Sequence, residues 1–324
     1  MRGAIINFPK QFDYKPATKN KSVLKKAKHF VVVGMGGSGL VGDLLRGCNP
    51  RLDLIIHKNY GLPVLADGVL EKSLIVLSSY SGNTEEVLDS YQAAKKKRLA
   101  MAAISIGGKL LEQAKADGIP YIQFPDLGIE PRFALGFSFR ALAEIIGEKN
   151  AFEESGRLAE LLKPEDFEEK GKELAEKLKG FVPLVYSSEK NRAAAYNWKI
   201  RFNETGHVPA FCNVFPELNH NEMAGFDFQE STQESIKELS RNFYFIFLKD
   251  SGDHPRIIKR MEVMEAILRD KKMPVENVSL EGENFLHKVF SSVALADWTS
   301  FYLVQTSGFK AESEFIVEKF KKLI

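Results

Sequence analysis

The chain has 324 residues, 44% of them hydrophobic, and its 45 basic and 43 acidic side chains leave a net charge of +2. That length suits two domains of about 150 residues each, with apolar material enough for two cores. The balanced charge, with no basic block interleaved with aromatics, argues against nucleic acid as a partner. The lysine runs KKAK (25–28) and KKKR (95–98) read as solvated faces.

Cys48 and Cys212 lie far apart and outside any CxxC spacing. They predict a reduced, cytoplasmic protein without a disulfide framework. The start, MRGAIINFPKQFDY, lacks the apolar core of a signal peptide. No apolar run approaches the ~18–20 residues of a membrane helix, so no membrane partner is expected. The histidines, His29, His57, His207, His220, His254 and His287, show no HxH or HExxH spacing. No metal site is expected from them.

In chain order, short β-branched or apolar runs appear at 30–34, 53–57, 73–78, 100–106 and 119–124. Helical patterns lie between several of them, as at 84–97 and 109–117. Such alternation predicts a parallel sheet covered by helices on both faces. Residues 134–179 read as helical with a break at Pro164, and 147–166 as the region joining two domains. A second α/β half follows, with strands at 181–187, 242–250 and 274–282. Its helices are expected at 190–204 and 254–270, with a long one at 284–306. The expected fold is α/β, two doubly wound domains over 1–150 and 151–324.

GMGGSG (34–39) follows the first apolar run and precedes LVGDLL. A dinucleotide fold would place a carboxylate at the end of the second strand for the ribose. Here Asp53 stands at the beginning of that strand, and His57 and Lys58 at its end. Two readings remain: a glycine turn that lets a helix pack on a strand, or a phosphate or sugar site on the helix N-terminus.

A second segment, SSYSGNTEEVL (78–88), decides between them. Ser79, Ser81 and Thr84 crowd one strand-to-helix turn, with Gly82 and Asn83 allowing tight geometry. An ordinary N-cap needs one hydroxyl. Three hydroxyls and free N–H groups suit a phosphate. Together GGSG (36–39) and SSYSGNTEE (78–86) resemble the sugar-isomerase fold, whose loops hold a sugar phosphate.

Residues 191–226 carry the candidate chemistry: Glu204 near a helix end, with Gly206 as the expected helix stop, and then the polar cluster ELNHNE (217–222). Aldose–ketose isomerisation needs a general acid/base to open the ring, a base to carry a proton between C2 and C1, and a cation for the enediolate. Arg132, in PDLGIEPRFALGF (125–137), is a candidate cation.

RFNETGHVPAFCNVFPELNHNEMAGF (201–226) looks like the signature of the bifunctional phosphoglucose/phosphomannose isomerases. GMGGSG, SYSGNTEE, EPRFALGF and ADWTSFYL (296–303) are similar to that family in the same order, so the resemblance spans about residues 20–308. It implies an enzyme interconverting glucose, mannose and fructose 6-phosphates through a cis-enediol(ate), with no metal or organic cofactor. It implies that Ser79, Ser81 and Thr84 bind the phosphate and that Gly37 and Ser38 lie at the sugar. Arg132 would stabilise the enediolate, Glu204 transfer the proton and His220 open the ring. Thr299 would lie near C2, where a small polar side chain can hold a water and admit both epimers. The resemblance also implies a homodimer whose ring-opening histidine comes from the neighbouring chain. The tail departs from the family: Thr306 and Ser307 stand where Lys or Arg is expected, and Lys310 is the nearest cation. That departure predicts weaker charge stabilisation or a shifted sugar preference. Two other classes are weighed: a non-catalytic sugar-phosphate-binding protein, which would not need Arg132, Glu204 and His220 together, and a nicotinamide-dependent dehydrogenase, disfavoured by the missing ribose carboxylate.

Overall fold

The computed structural model describes residues 1–228, 231–308, 315–321 and 323. It divides into two compact units, Asn7–Leu161 and Leu162–Ile324, the second also including Met1–Ile6.

The first unit is built on five strands: β1 (His29–Val33), β2 (Asp53–His57), β3 (Ser73–Ser78), β4 (Ala100–Ser105) and β5 (Tyr121–Gln123). They are all parallel, in the order β2-β1-β3-β4-β5. All six residues of β3 are buried, as a strand covered on both faces requires, whereas the edge strands β2 and β5 are partly exposed. Strand alternation sorts the helices onto the two faces. Val31, Val33, Ile75 and Leu77 cluster with Val87, Tyr91 and Leu110, from the helices Glu85–Lys96 and Gly108–Ala116. The helix Gly36–Cys48 lies on the opposite face, where a side chain at Gly42 would meet Ile56 and Val32. The helices after β1 and β3 thus leave on opposite faces of neighbouring strands. That divergence is the topological switch point, where open α/β sheets form ligand crevices.

The second unit repeats the design with β6 (Val182–Ser188), β7 (Phe211–Phe215), β8 (Phe243–Lys249) and β9 (Val275–Ser279). They are parallel in the order β7-β6-β8-β9. Its core joins Tyr186, Phe215, Phe245 and Phe247 to Met261, Met264 and Leu268 of the helix Pro255–Asp270. The fold is therefore the expected pair of parallel sheets flanked by helices. Among the described residues no helix is long and apolar enough to cross a membrane.

The division between units falls after Leu161, inside the joining region 147–166 and beyond the boundary set at residue 150. Arg140 supplies the reason. Its guanidinium donates to the Phe152 carbonyl and to Ser155 Oγ, both at 2.9 Å, and lies 3.9 Å over the Phe152 ring. The helix Lys149–Leu161 is thereby held in the first unit. The N-terminus returns to the second unit because Arg2 pairs with Glu168 at 2.9 Å and lies 5.5 Å over the Trp298 ring.

Glu265 ties three elements of the second unit together. It meets Lys249 of β8 at 2.6 Å, Asn277 of β9 at 2.7 Å and Arg269 of its own helix at 2.9 Å. Burial raises its pKa, but these hydrogen bonds outweigh burial and bring it down to about 2. Because the folded pKa is below the unfolded value, the stabilisation is complete above the unfolded pKa of about 4.5. It is lost as the pH falls toward about 2. Denaturant unfolding of Glu265→Gln against wild type should show a stability gap at neutral pH that closes across that window.

Candidate functional site

In the first unit the site forms at the carboxyl ends of β1 and β3. The helix Gly36–Cys48 begins after Met35 with no side-chain cap, so its first N–H groups are left for another acceptor. A side chain at Gly39 would lie 2.3 Å from the Gly34 carbonyl oxygen, which explains why the helix can start directly on the strand end. Ser38 Oγ reaches across to the next loop and accepts from the Tyr80 N–H at 3.2 Å.

That next loop folds on its own hydroxyls. Ser79 Oγ and Thr84 Oγ1 are 2.8 Å apart, and Ser79 Oγ also accepts from the Gly82 N–H at 3.0 Å. Ser81 Oγ accepts from the Asn83 N–H at 3.2 Å and its residue is exposed. Thr84 occupies the N-cap position of Glu85–Lys96 but makes no capping hydrogen bond. An ordinary cap therefore does not account for its hydroxyl. Gly82 has φ 72°, and a side chain there would sit 1.9 Å from the Gly107 carbonyl oxygen. Only glycine closes this turn against the loop after β4.

Arg132 joins this group on a 3-10 turn, Pro131–Phe133. A side chain at Gly37 would lie 3.4 Å from the Pro131 carbonyl oxygen, so the arginine turn abuts the first glycine loop. Arg132 is 1% exposed, 3.8 Å from Glu130 and 5.4 Å over the Phe133 ring. The structure thus gathers Gly37, Ser38, Ser79, Ser81, Thr84 and Arg132 at one end of one sheet. Asp53 lies at the other end of β2, with its carboxylate 2.5 Å from His29 Nδ1. At the glycine-loop end, Lys58 pairs with Asp43 at 2.9 Å. No carboxylate ends β2 where a dinucleotide ribose needs one.

In the second unit Glu204 closes the helix Arg192–Glu204. The helix stops just before Gly206, as expected, but Gly206 has no positive φ and His207 takes the left-handed conformation at φ 51°. A side chain at Gly206 would lie 2.9 Å from the Phe202 carbonyl oxygen, so close backbone contact is what requires glycine there. Asn203 Nδ2 donates to the Val208 carbonyl at 3.0 Å and secures the chain beyond the helix end. One turn before Glu204, buried Arg201 donates to Asp297 at 3.0 Å and also to Asn197. This pair fixes the helix to Phe285–Ser307. Sequence reasoning missed it, although both residues lie within the two motifs RFNETGH and ADWTSFYL.

The ELNHNE cluster separates into two roles. Glu222 accepts from Tyr186 and Asn213, and burial together with Glu222 pushes the Tyr186 hydroxyl pKa up. Asn221 donates to Glu217 at 2.8 Å, and Asn219 accepts from Arg260 at 3.3 Å. His220 alone among them stands exposed with no hydrogen bond to its imidazole among the described residues. Thr299 is fully buried, and its hydroxyl donates to the Leu295 carbonyl at 2.8 Å, one turn back in its helix. Its proton is committed to the backbone, and its oxygen keeps lone pairs that can accept from a water. Thr306 likewise donates to Leu303 at 2.8 Å, and Lys310 lies outside the described residues. Among the described residues no three His, Cys, Asp or Glu side chains group to hold a metal ion.

Residues 167–324 match the family of the bacterial phospho-glucose isomerase C-terminal SIS domain. The fold is similar to the C-terminal domain of glucosamine-fructose-6-phosphate aminotransferase from Francisella tularensis, with a TM-score of 0.70. The identity there is 14%, over 96% of this chain and 97% of that one. Two doubly wound sheets with a hydroxyl-lined switch point thus place the chain in the SIS-domain class. Over 98% of its length it is 32% identical to the bifunctional phosphoglucose/phosphomannose isomerase of Aquifex aeolicus, covering 96% of that protein. It is 36% identical to the one from Caldicellulosiruptor bescii, over 93% of this chain and 91% of the other. The chain belongs to the family of bifunctional phosphoglucose/phosphomannose isomerases.

Arg201→Met should strand the buried Asp297 carboxylate and cost about 3–5 kcal/mol in chemical unfolding. Replacing both, as Arg201→Met with Asp297→Leu, should restore most of that loss. Equal destabilisation by the single and double variants would mean that the ion pair does not set the stability of this contact.

Proposed function

We propose that the chain is an aldose–ketose isomerase interconverting glucose 6-phosphate, mannose 6-phosphate and fructose 6-phosphate through a cis-enediol(ate). The observation that carries this reading is the convergence of two side-chain-uncapped helix starts with the Ser79, Ser81 and Thr84 hydroxyls at the β1/β3 switch point. Such a site offers N–H and O–H donors to a phosphate dianion and adds no competing carboxylate among those three side chains. Ser79, Ser81 and Thr84 are assigned the phosphate, and Gly37 and Ser38 the sugar.

The remaining roles follow from the chemistry. Opening the cyclic sugar takes a proton from the anomeric hydroxyl and returns one to the ring oxygen. An imidazole does this near neutral pH, and His220 is assigned the step. Glu204 removes the C2 proton of the open aldose and returns it at C1, so that one carboxylate serves both halves of the transfer. The guanidinium of Arg132 stabilises charge on the enediolate oxygen. Thr299 is assigned the contact near C2, because its hydroxyl, while donating to Leu295, keeps lone pairs that can accept from a water there. The protein is assigned to the cytoplasm and to a homodimer in which each site uses the partner subunit's His220. The exposure of His220 supports that last assignment.

Direct measurement of the aldose phosphates formed from fructose 6-phosphate, without and with added nicotinamide nucleotide, tests the activity. Turnover to both aldose phosphates without nucleotide is expected, and strict nucleotide dependence would overturn the reading. Thr84→Ala should raise KM for the phosphorylated sugar by the equivalent of about 1–3 kcal/mol, the value of a hydrogen bond to a charged group. Unchanged kinetics would remove the turn from phosphate binding.

Glu204→Gln should abolish solvent deuterium exchange at C2, and His220→Ala should impair the cyclic substrate far more than an open-chain one. Refolding the two variants together should restore roughly a quarter of wild-type activity on the cyclic substrate if each site draws on both chains, by two-fold symmetry counting. Continued inactivity despite verified subunit exchange would place both residues in one chain.

A further inference from the structure

The turn that presents Arg132 carries no cap of its own. The helix that follows it, Leu135–Ile146, begins after Ala134, whose side chain cannot accept a hydrogen bond. The first N–H groups of that helix need an acceptor from elsewhere. Gln11, on the 3-10 segment Phe8–Asp13 and only 4% exposed, provides it. Its Oε1 accepts from the Gly136 N–H at 3.0 Å, and its Nε2 donates to the Phe133 carbonyl at 2.5 Å. One amide therefore grips the backbone immediately after Arg132 and again in the first helical turn.

The grip is close. A side chain at Gly136 would sit 2.6 Å from Gln11 Cβ, so glycine at 136 is what admits the amide to the backbone. Phe12, fully buried beside it, packs edge-on to Phe8 at 5.3 Å and holds the segment down. Glutamine matches the demand because it must donate and accept at once at this reach. A carboxylate lacks the donor, asparagine is one methylene shorter, and an apolar side chain offers neither bond.

We propose that Gln11 is a positioning residue for the reaction: it sets where the Arg132 guanidinium stands relative to the phosphate loops. This rests on the assignment of Arg132 to the enediolate. A cation that stabilises charge only as it develops must be held in place beforehand, and a displacement of about 1 Å can cost on the order of 100-fold in rate. The loss should fall on kcat, since the groups assigned to the phosphate lie on other loops.

The test is a double-mutant cycle with Gln11→Met, Arg132→Ala and the two combined, assayed on fructose 6-phosphate alongside thermal unfolding of each. Gln11→Met should lower kcat by about 10–100-fold with KM within about threefold. It should also weaken binding of a hydroxamate mimic of the enediolate more than that of hexitol 6-phosphate. In the Arg132→Ala background the same substitution should cost no further kcat. Gln11→Glu, which keeps the acceptor and regains the donor when protonated, should retain more activity than Gln11→Met and should gain on wild type as the pH falls. It also serves if the methionine variant does not fold. An equal kcat loss from Gln11→Met with and without Arg132 would overturn the proposal, as would a parallel rise in KM. Wild-type kcat in Arg132→Ala alone would remove Arg132 from the chemistry, and this role of Gln11 with it.

Discussion

Backbone pressed against backbone is the constraint on which the proposed phosphate site depends. At Gly82 a side chain would lie 1.9 Å from one carbonyl oxygen, and at Gly39 2.3 Å from another. Without these approaches the helices could not begin at the strand ends, and Ser38 could not reach the Tyr80 N–H. The close turn also brings Ser79 and Thr84 into mutual contact and leaves two helix starts without side-chain caps. The polar chemistry of the loops is thus a consequence of an absence of side chains.

The second sheet shows what the same topological position becomes without that chemistry. The ends of β6 and β8 carry Asp250, bonded to Lys288 at 2.6 Å and Lys190 at 3.0 Å. Burial works against its ionisation, but the bonds from Lys288, the Gly252 N–H, Lys190 and Asn191 prevail and hold the carboxyl well below the usual range. A carboxylate of the protein fills the point where the first sheet presents hydroxyls and free N–H groups. One design has been used twice, with hydroxyls and uncapped helix starts in the first sheet and an ion-paired carboxylate in the second.

Much of this was legible in the sequence because it is local. Continuous apolar runs such as SLIVLS can be satisfied only by a strand covered on both faces, and they located β1 to β6, β8 and β9 to within a few residues. The glycine and hydroxyl spacing of the two loops located the switch point. β7 escaped because it is an edge strand, FCNVF, with Phe211 58% exposed and no β-branched run. Its bracketing prolines, Pro209 and Pro216, were the signal available.

What the sequence by itself determined was the set of strands and helices, the doubly wound class and the loops that carry the site, since each follows from periodicity or from short-range backbone preference. The tertiary structure decided the rest. It bound the helix Lys149–Leu161 to the first unit through Arg140 and returned the N-terminus to the second through Arg2. It also tied Thr299 to Leu295 and Glu222 to Tyr186, leaving His220 exposed in the same cluster. It set Gln11 against a helix start 125 residues away and Arg201 against Asp297 across 96. Pairings at such separations leave no local pattern, because their geometry exists only once the unit that holds each pair has folded.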